Sequence, residues 1–164
     1  MVNTGLPVPY YDQDGITIYN ADCRDILPLL PRVDLVLTDP PYGIGKIWSG
    51  GSAHGWAKSN AGGEVRNEWD AAPVDADLLN QAIGKGGYAI VWGGNYFHLP
   101  PSRCWLVWNK PERNFSLAEA ELAWTNRDAL VRVLDCPRSD HGRIHPTQKP
   151  IKLMTWCLSF FPDA

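Results

Sequence analysis

The sequence predicts an α/β fold built on an open sheet, and three observations carry that prediction. Apolar segments of strand length alternate with helix-like segments along most of the chain. Residues 33–38 form a near-continuous apolar run, the pattern of a strand buried on both faces. Two helix starts are marked, one by the capping carboxylate of Asp75 and one by Pro150 at an early helical position.

Taken in order, residues 15–21 alternate as a strand, and 22–30 read as a short helix stopped by Pro31. The run at 33–38 is the second strand. From 43 to 70 the chain is rich in Gly, Ser, Asn and Trp with little periodicity, a length of connection that is usually functional or disordered. Asp75 opens a helix to about residue 83, ended by Gly84, Gly86 and Gly87. Strands follow at 88–92, 104–108, 119–124 and 129–134, and a last helix spans about 150–160. Ligands of such sheets bind at the carboxyl ends of the strands. Asp22 follows the first strand and Asp39 the second, so both acids are expected on one rim. Asp22 suits the N-cap of the first helix equally well.

Composition narrows the class of protein. A chain of 164 residues with 45% hydrophobic content builds one domain with a core of its own. No window reads as a signal peptide and no apolar run is long enough to span a membrane, which points to an intracellular, cytoplasmic enzyme. Cys23, Cys104, Cys136 and Cys157 lack paired spacing and read as reduced, mostly buried thiols. His141 and His145 stand four apart, but Gly142 and Pro146 break the helix that would align them on a metal. The net charge of -3 makes no case for nucleic acid. Two local groups, Lys46, Lys58 and Arg66, then Arg138, Arg143, Lys149 and Lys152, are either a basic surface or ordinary solvated charge.

The most informative residues are Asp39-Pro40-Pro41-Tyr42, directly after the apolar strand. Each proline fixes its own φ and restricts the residue before it to extended backbone. The turn therefore presents a carboxylate, the Pro40 carbonyl and an aromatic face with little freedom. Two acceptors beside an aromatic ring suit a planar amino group such as that of adenine. A second segment, His145-Pro146-Thr147-Gln148-Lys149-Pro150, precedes the last helix. In this order and spacing the two segments resemble the permuted, beta-class amino-methyltransferases of DNA, of the adenine-N6 and cytosine-N4 type. The resemblance starts at residues 16–23 and runs through most of the chain.

That resemblance implies an open, mostly parallel Rossmann-like methyltransferase sheet flanked by helices. It implies S-adenosylmethionine as methyl donor and DNA as partner. Asp39, Pro40, Pro41 and Tyr42 become the catalytic turn, with Asp39 also beside the donor. Asp22 and Cys23 after the first strand, and His145, Thr147, Gln148 and Lys149 near the end, become donor-side residues, with the cation meeting the donor's carboxylate. The target base has to leave the duplex to be reached. Tyr42 is its expected stacking partner, Phe115 a second aromatic for the other face, and Lys46 a substrate contact in the glycine-rich segment. Members of this family continue past the last helix into a strand and a glycine-rich turn, whereas this sequence ends at Phe160-Phe161-Pro162-Asp163-Ala164. The resemblance thus implies a sheet incomplete at the C-terminus, with the missing strand between residues 15–21 and 33–38. A complementing segment or a second copy of the chain would complete it. Asp at the first motif position favours adenine-N6 transfer; cytosine-N4 transfer and a non-catalytic remnant that binds nucleic acid or a partner chain are the other readings.

Overall fold

The computed structural model describes residues 5–44, 70–113, 118–138 and 147–161. Among them the chain forms an α/β layer structure, with one helix on each face of a mixed five-stranded sheet. The strands are β3 (Val33–Thr38), β4 (Gly86–Trp92), β5 (Trp105–Asn109), β6 (Ala120–Thr125) and β7 (Arg132–Asp135), in the spatial order β3-β4-β6-β5-β7. β3 pairs with β4 and β5 with β7 in parallel, while β6 is antiparallel to both β4 and β5. Four strands therefore share one direction and β6 alone is reversed. The expected mostly parallel sheet is mixed, because two of its four pairings are antiparallel.

The core follows from the two-residue period of the strands. Ile90, Trp92, Leu106, Trp108 and Ala123 face one side and meet Leu153, Cys157 and Phe161 on and just after α3 (Ile151–Leu158). Ala89, Val91 and Trp124 face the other side and meet Leu79 on α2 (Ala76–Lys85). Residues 89–92 of β4 are fully buried, as a strand covered on both faces requires.

Asp75 caps α2 as expected, accepting from Leu78 N at 3.0 Å. The helix runs past Gly84 to Lys85, whose ammonium donates to the Pro28 and Leu30 carbonyls at 3.1 and 2.6 Å, and β4 begins at the next residue. That tertiary anchor overrides the weak helix propensity of Gly84.

The first expected strand is placed differently. Residues 15–21 do not join the main sheet. β1 (Tyr11–Gln13) and β2 (Ile16–Ile18) form a separate antiparallel pair, with Gln13 opposite Ile16. The turn residues Asp14 and Gly15 have φ of 54° and 77°, the positive pair that a tight hairpin needs and that Asp-Gly supplies at low cost. Asp22 and Cys23 thus follow a hairpin strand and share no sheet with Asp39. Asp22 caps the short helix α1 (Cys23–Ile26), which continues as a 3-10 turn, Leu27–Leu29. β3 lies at the edge of the five-stranded sheet. Val33 and Asp34 are exposed and the other four residues half-buried, so the expected burial of 33–38 on both faces is corrected: an edge strand is flanked by a neighbour on one side only.

None of the four cysteines forms a disulfide; Cys23 is exposed and the other three are buried. No described helix is long and apolar enough to cross a membrane.

Candidate active site

Sheet direction decides which residues meet. The carboxyl ends of β3, β4 and β5 lie on one rim, and they carry Asp39, Gly93 and Lys110. Because β6 runs the other way, its first residues reach the same rim, and Glu121 pairs in register with Trp108. Lys149, just before α3, completes the group.

Asp39 is held at both oxygens. The Tyr42 hydroxyl donates to Oδ1, and Lys149 Nζ donates to Oδ2 at 2.8 Å. Lys149 Nζ also lies 3.0 Å from Glu121 Oε2, while Lys110 Nζ bonds to Glu121 Oε1. Cations and anions alternate in the order Lys110, Glu121, Lys149, Asp39. The Lys110 and Lys149 side chains are only 4% and 9% exposed, whereas Glu121 and Asp39 keep 25% and 30%, so the series opens to solvent at its two acids. Trp92, Tyr42 and Trp108 flank the Lys149 ammonium, with ring centroids at 5.6, 5.9 and 5.9 Å.

The charge states follow from this geometry. Burial penalises the Lys149 ammonium, but Glu121 and Asp39 outweigh the penalty and hold its pKa above the usual lysine value. Burial likewise works against the Glu121 carboxylate, and the charges of Lys149 and Lys110 overcome it, so its pKa is lowered. Lys110 is shifted down: burial outweighs its single carboxylate, and Arg138 and Lys149 add like charge. Burial, then the Asp39 charge and hydrogen bond, raise the Tyr42 phenol, which stays protonated as a donor.

The chain after residue 69 returns to lock the turn. Both the Tyr42 and Gly43 N–H groups donate to Asp70 Oδ1 at 2.7 Å, and Asp70 is buried. Val74 N donates to the Pro41 carbonyl at 3.0 Å. The Tyr42 ring stacks on Tyr96 at 5.0 Å and meets Phe97 edge-on at 6.1 Å. It also fills the space beside Gly93, whose φ is 68° and whose added Cβ would fall 2.2 Å from Tyr42 Cε1.

The structure brings together Asp39, Tyr42 and Lys149 of the expected site, with Pro40 and Pro41 shaping the turn. Two of the expected donor-side residues have partners within the protein. Lys149 is shared by two carboxylates, those of Asp39 and Glu121. The Asp22 carboxylate accepts from Arg24 N at 2.9 Å and Arg24 Nε at 3.1 Å. Thr147 is half-buried and Gln148 exposed beside Lys149. His145, Phe115 and Lys46 lie outside the described residues, as do His141 and most of the glycine-rich segment. The basic group near the end is partly spent internally: Arg138 N donates to Glu112 at 3.0 Å and its guanidinium to the Ala118 carbonyl at 2.6 Å.

Sequence reasoning missed Glu121, Lys110, Asp70 and Tyr96. Glu121 carried a signal, a lone acid inside an apolar strand. Asp70 and Tyr96 carried none, since both act on residues distant in sequence.

The rim therefore holds an oriented carboxylate and an aromatic ladder at the carboxyl ends of an α/β sheet. The chain is similar to the type II methyltransferase M.ScaI of Streptomyces caespitosus, 25% identical over 169 residues, which covers 90% of this chain and 53% of that protein. It spans about half the length of this curated relative. No protein-family model matches the chain, and no solved structure matches it.

Proposed function

We propose that the chain is the catalytic part of a DNA methyltransferase that moves a methyl group from S-adenosylmethionine to the N6 amino group of adenine. The observation that carries this reading is the exposed Asp39 carboxylate, fixed on the rim by Tyr42 and Lys149. Its Asp-Pro-Pro-Tyr turn is the segment on which the family resemblance rests, and the likeness to a type II methyltransferase supports the same class.

The adenine amino nitrogen is a poor nucleophile while its lone pair is delocalised into the ring. Asp39 and the Pro40 carbonyl accept its two hydrogens, which favours a pyramidal nitrogen with the lone pair available. The Pro41 carbonyl is already used by Val74, so Pro40 is the main-chain acceptor of this pair. The donor contributes an electrophilic methyl on a sulfonium. With the donor bound, its C–S bond would give way to the new N–C bond, and the amino proton would leave to Asp39 or water.

The base, extruded from the duplex, stacks on the Tyr42 and Tyr96 ladder, whose outer ring is 47% exposed. Phe115 and Lys46 remain part of this proposal as a second stacking face and a substrate contact. For the methyl donor the fit is partial. Thr147 and Gln148 offer a hydroxyl and an amide at the rim, with His145 proposed beside them. Asp22 and Cys23, at the start of α1 after the hairpin, are proposed as further donor-side residues, and Asp22 would have to leave Arg24 to take part.

The test is methyl transfer by the 164-residue chain to unmethylated DNA, with products digested to nucleosides and identified by mass spectrometry. N6-methyladenine is expected. N4-methylcytosine would keep the chemistry and change the base. No product, with DNA binding retained, would replace the enzyme by a nucleic-acid-binding remnant, unless adding a glycine-rich segment restores transfer.

A further inference from the structure

We infer that Glu121 is a positioning residue for Asp39 and acts through Lys149. The inference rests on the methyltransferase reading of Asp39 and concerns a residue outside both motifs.

Lys149 Nζ makes a directed hydrogen bond to Asp39 Oδ2 at 2.8 Å. The same Nζ lies 3.0 Å from the buried Glu121 Oε2. The two acids thus hold the ammonium between them, Glu121 from the sheet side and Asp39 at the turn. A lysine stem has four rotatable bonds and does not fix its ammonium by itself. Three aromatic rings and the second carboxylate do so here. Glu121 is fixed in turn by Lys110, whose ammonium lies 4.5 Å from the Trp108 ring centroid.

The charged and titratable groups around Lys149 come from every neighbouring element. They are Glu121 of β6, Asp39 and Tyr42 after β3, Lys110 after β5 and Cys157 of α3, with Arg138 after β7 acting on Lys110. Of these, only Glu121 and Asp39 attract the ammonium by full charge. Removing the Glu121 charge leaves Lys149 beside Lys110 with one anion, free to turn away, and Asp39 loses its fixed orientation.

The test is a double-variant cycle on the full chain, with Glu121→Gln, Lys149→Met and both together. Glu121→Gln is expected to lower kcat by roughly ten- to a hundredfold through misplacement of the acid, with KM for DNA and donor changing by less than about threefold. Once Lys149→Met is present, Glu121→Gln is expected to add almost nothing. The alkaline limb of the rate profile moves to lower pH in Glu121→Gln, because the ammonium has lost one of its anions. Losses that multiply in the double variant, or a limb that stays in place, would overturn the proposal. Should Glu121→Gln fail to fold, Glu121→Gln with Lys110→Met removes a cation together with the anion, and the same loss is expected.

A second readout needs no activity. NMR titration of the Lys149 ammonium should show it losing its proton at lower pH in Glu121→Gln than in the wild type, and an unchanged titration overturns the tether. A shifted titration in a chain that transfers no methyl group, even with a glycine-rich segment added, would support the tether and refute the methyltransferase reading.

Discussion

Asp39 takes one hydrogen bond at each oxygen, from Tyr42 and from Lys149, and still presents its carboxylate to solvent. Each oxygen retains acceptor capacity, so the acid can orient a ligand amino group without giving up its own supports. Asp39→Ala is accordingly expected to abolish methyl transfer in single-turnover assays while near-ultraviolet circular dichroism stays that of the wild type. Lys149 keeps Glu121 in that variant, which spares the chain an unpaired buried cation. Transfer at the wild-type rate would refute the role given to Asp39.

Among the elements, the end of β4 does the most to shape the site. It turns at Gly93 in the left-handed region, and the absence of a side chain there admits the Tyr42 ring. The same turn sends Tyr96 back to stack on that ring. Gly93→Ala would strain the backbone and drive a methyl into Tyr42, and it is expected to cost about 2 kcal/mol, read from urea denaturation. Transfer should fall as well, since Tyr42 could not keep both the Asp39 bond and its stack. At the hairpin a local signal was present in the sequence: Asp14-Gly15 is the dipeptide of a tight turn. The alternation of residues 15–21 invites placement in the large sheet, but the turn chemistry and the pairing of Tyr11 with Ile18 put Ile16–Ile18 in a ribbon of two strands.

For the whole molecule, the buried charge series makes stability depend on pH in a definite direction. The lowered pKa of Glu121 means that its contribution is full above the ordinary glutamate range and is lost as pH falls through the folded value. Lys149, with a raised pKa, contributes below the ordinary lysine range and loses this as pH rises through its folded value. Lys110 has the opposite sign, because burial disfavours its charge, and it partly offsets Lys149 on the alkaline side. Urea midpoints measured from pH 7 downward should therefore fall more steeply for the wild type than for the Glu121→Gln, Lys110→Met double variant. Equal slopes would show that the series does not govern acid stability.

Local chemistry, read from the sequence alone, determined where most elements lie and which short segments carry the site. A run apolar at every position needs cover on both faces, a carboxylate before an apolar-periodic segment caps a helix, and two prolines stiffen a turn wherever it sits. Asp75, the strand near 88–92 and the Asp39 turn were legible for those reasons; the strand at 33–38 was legible as an element, but its burial was not. The tertiary structure decided the direction of β6 and everything that depends on it. A strand's two-residue period is the same read forwards or backwards, so nothing within residues 120–125 tells Glu121 that it will lie on the rim with Asp39. Lys149 and Asp39 are 110 residues apart, and their pairing arises only when the sheet and α3 bring a buried ammonium to a carboxylate at the solvent edge, which spares the cation an unpaired burial.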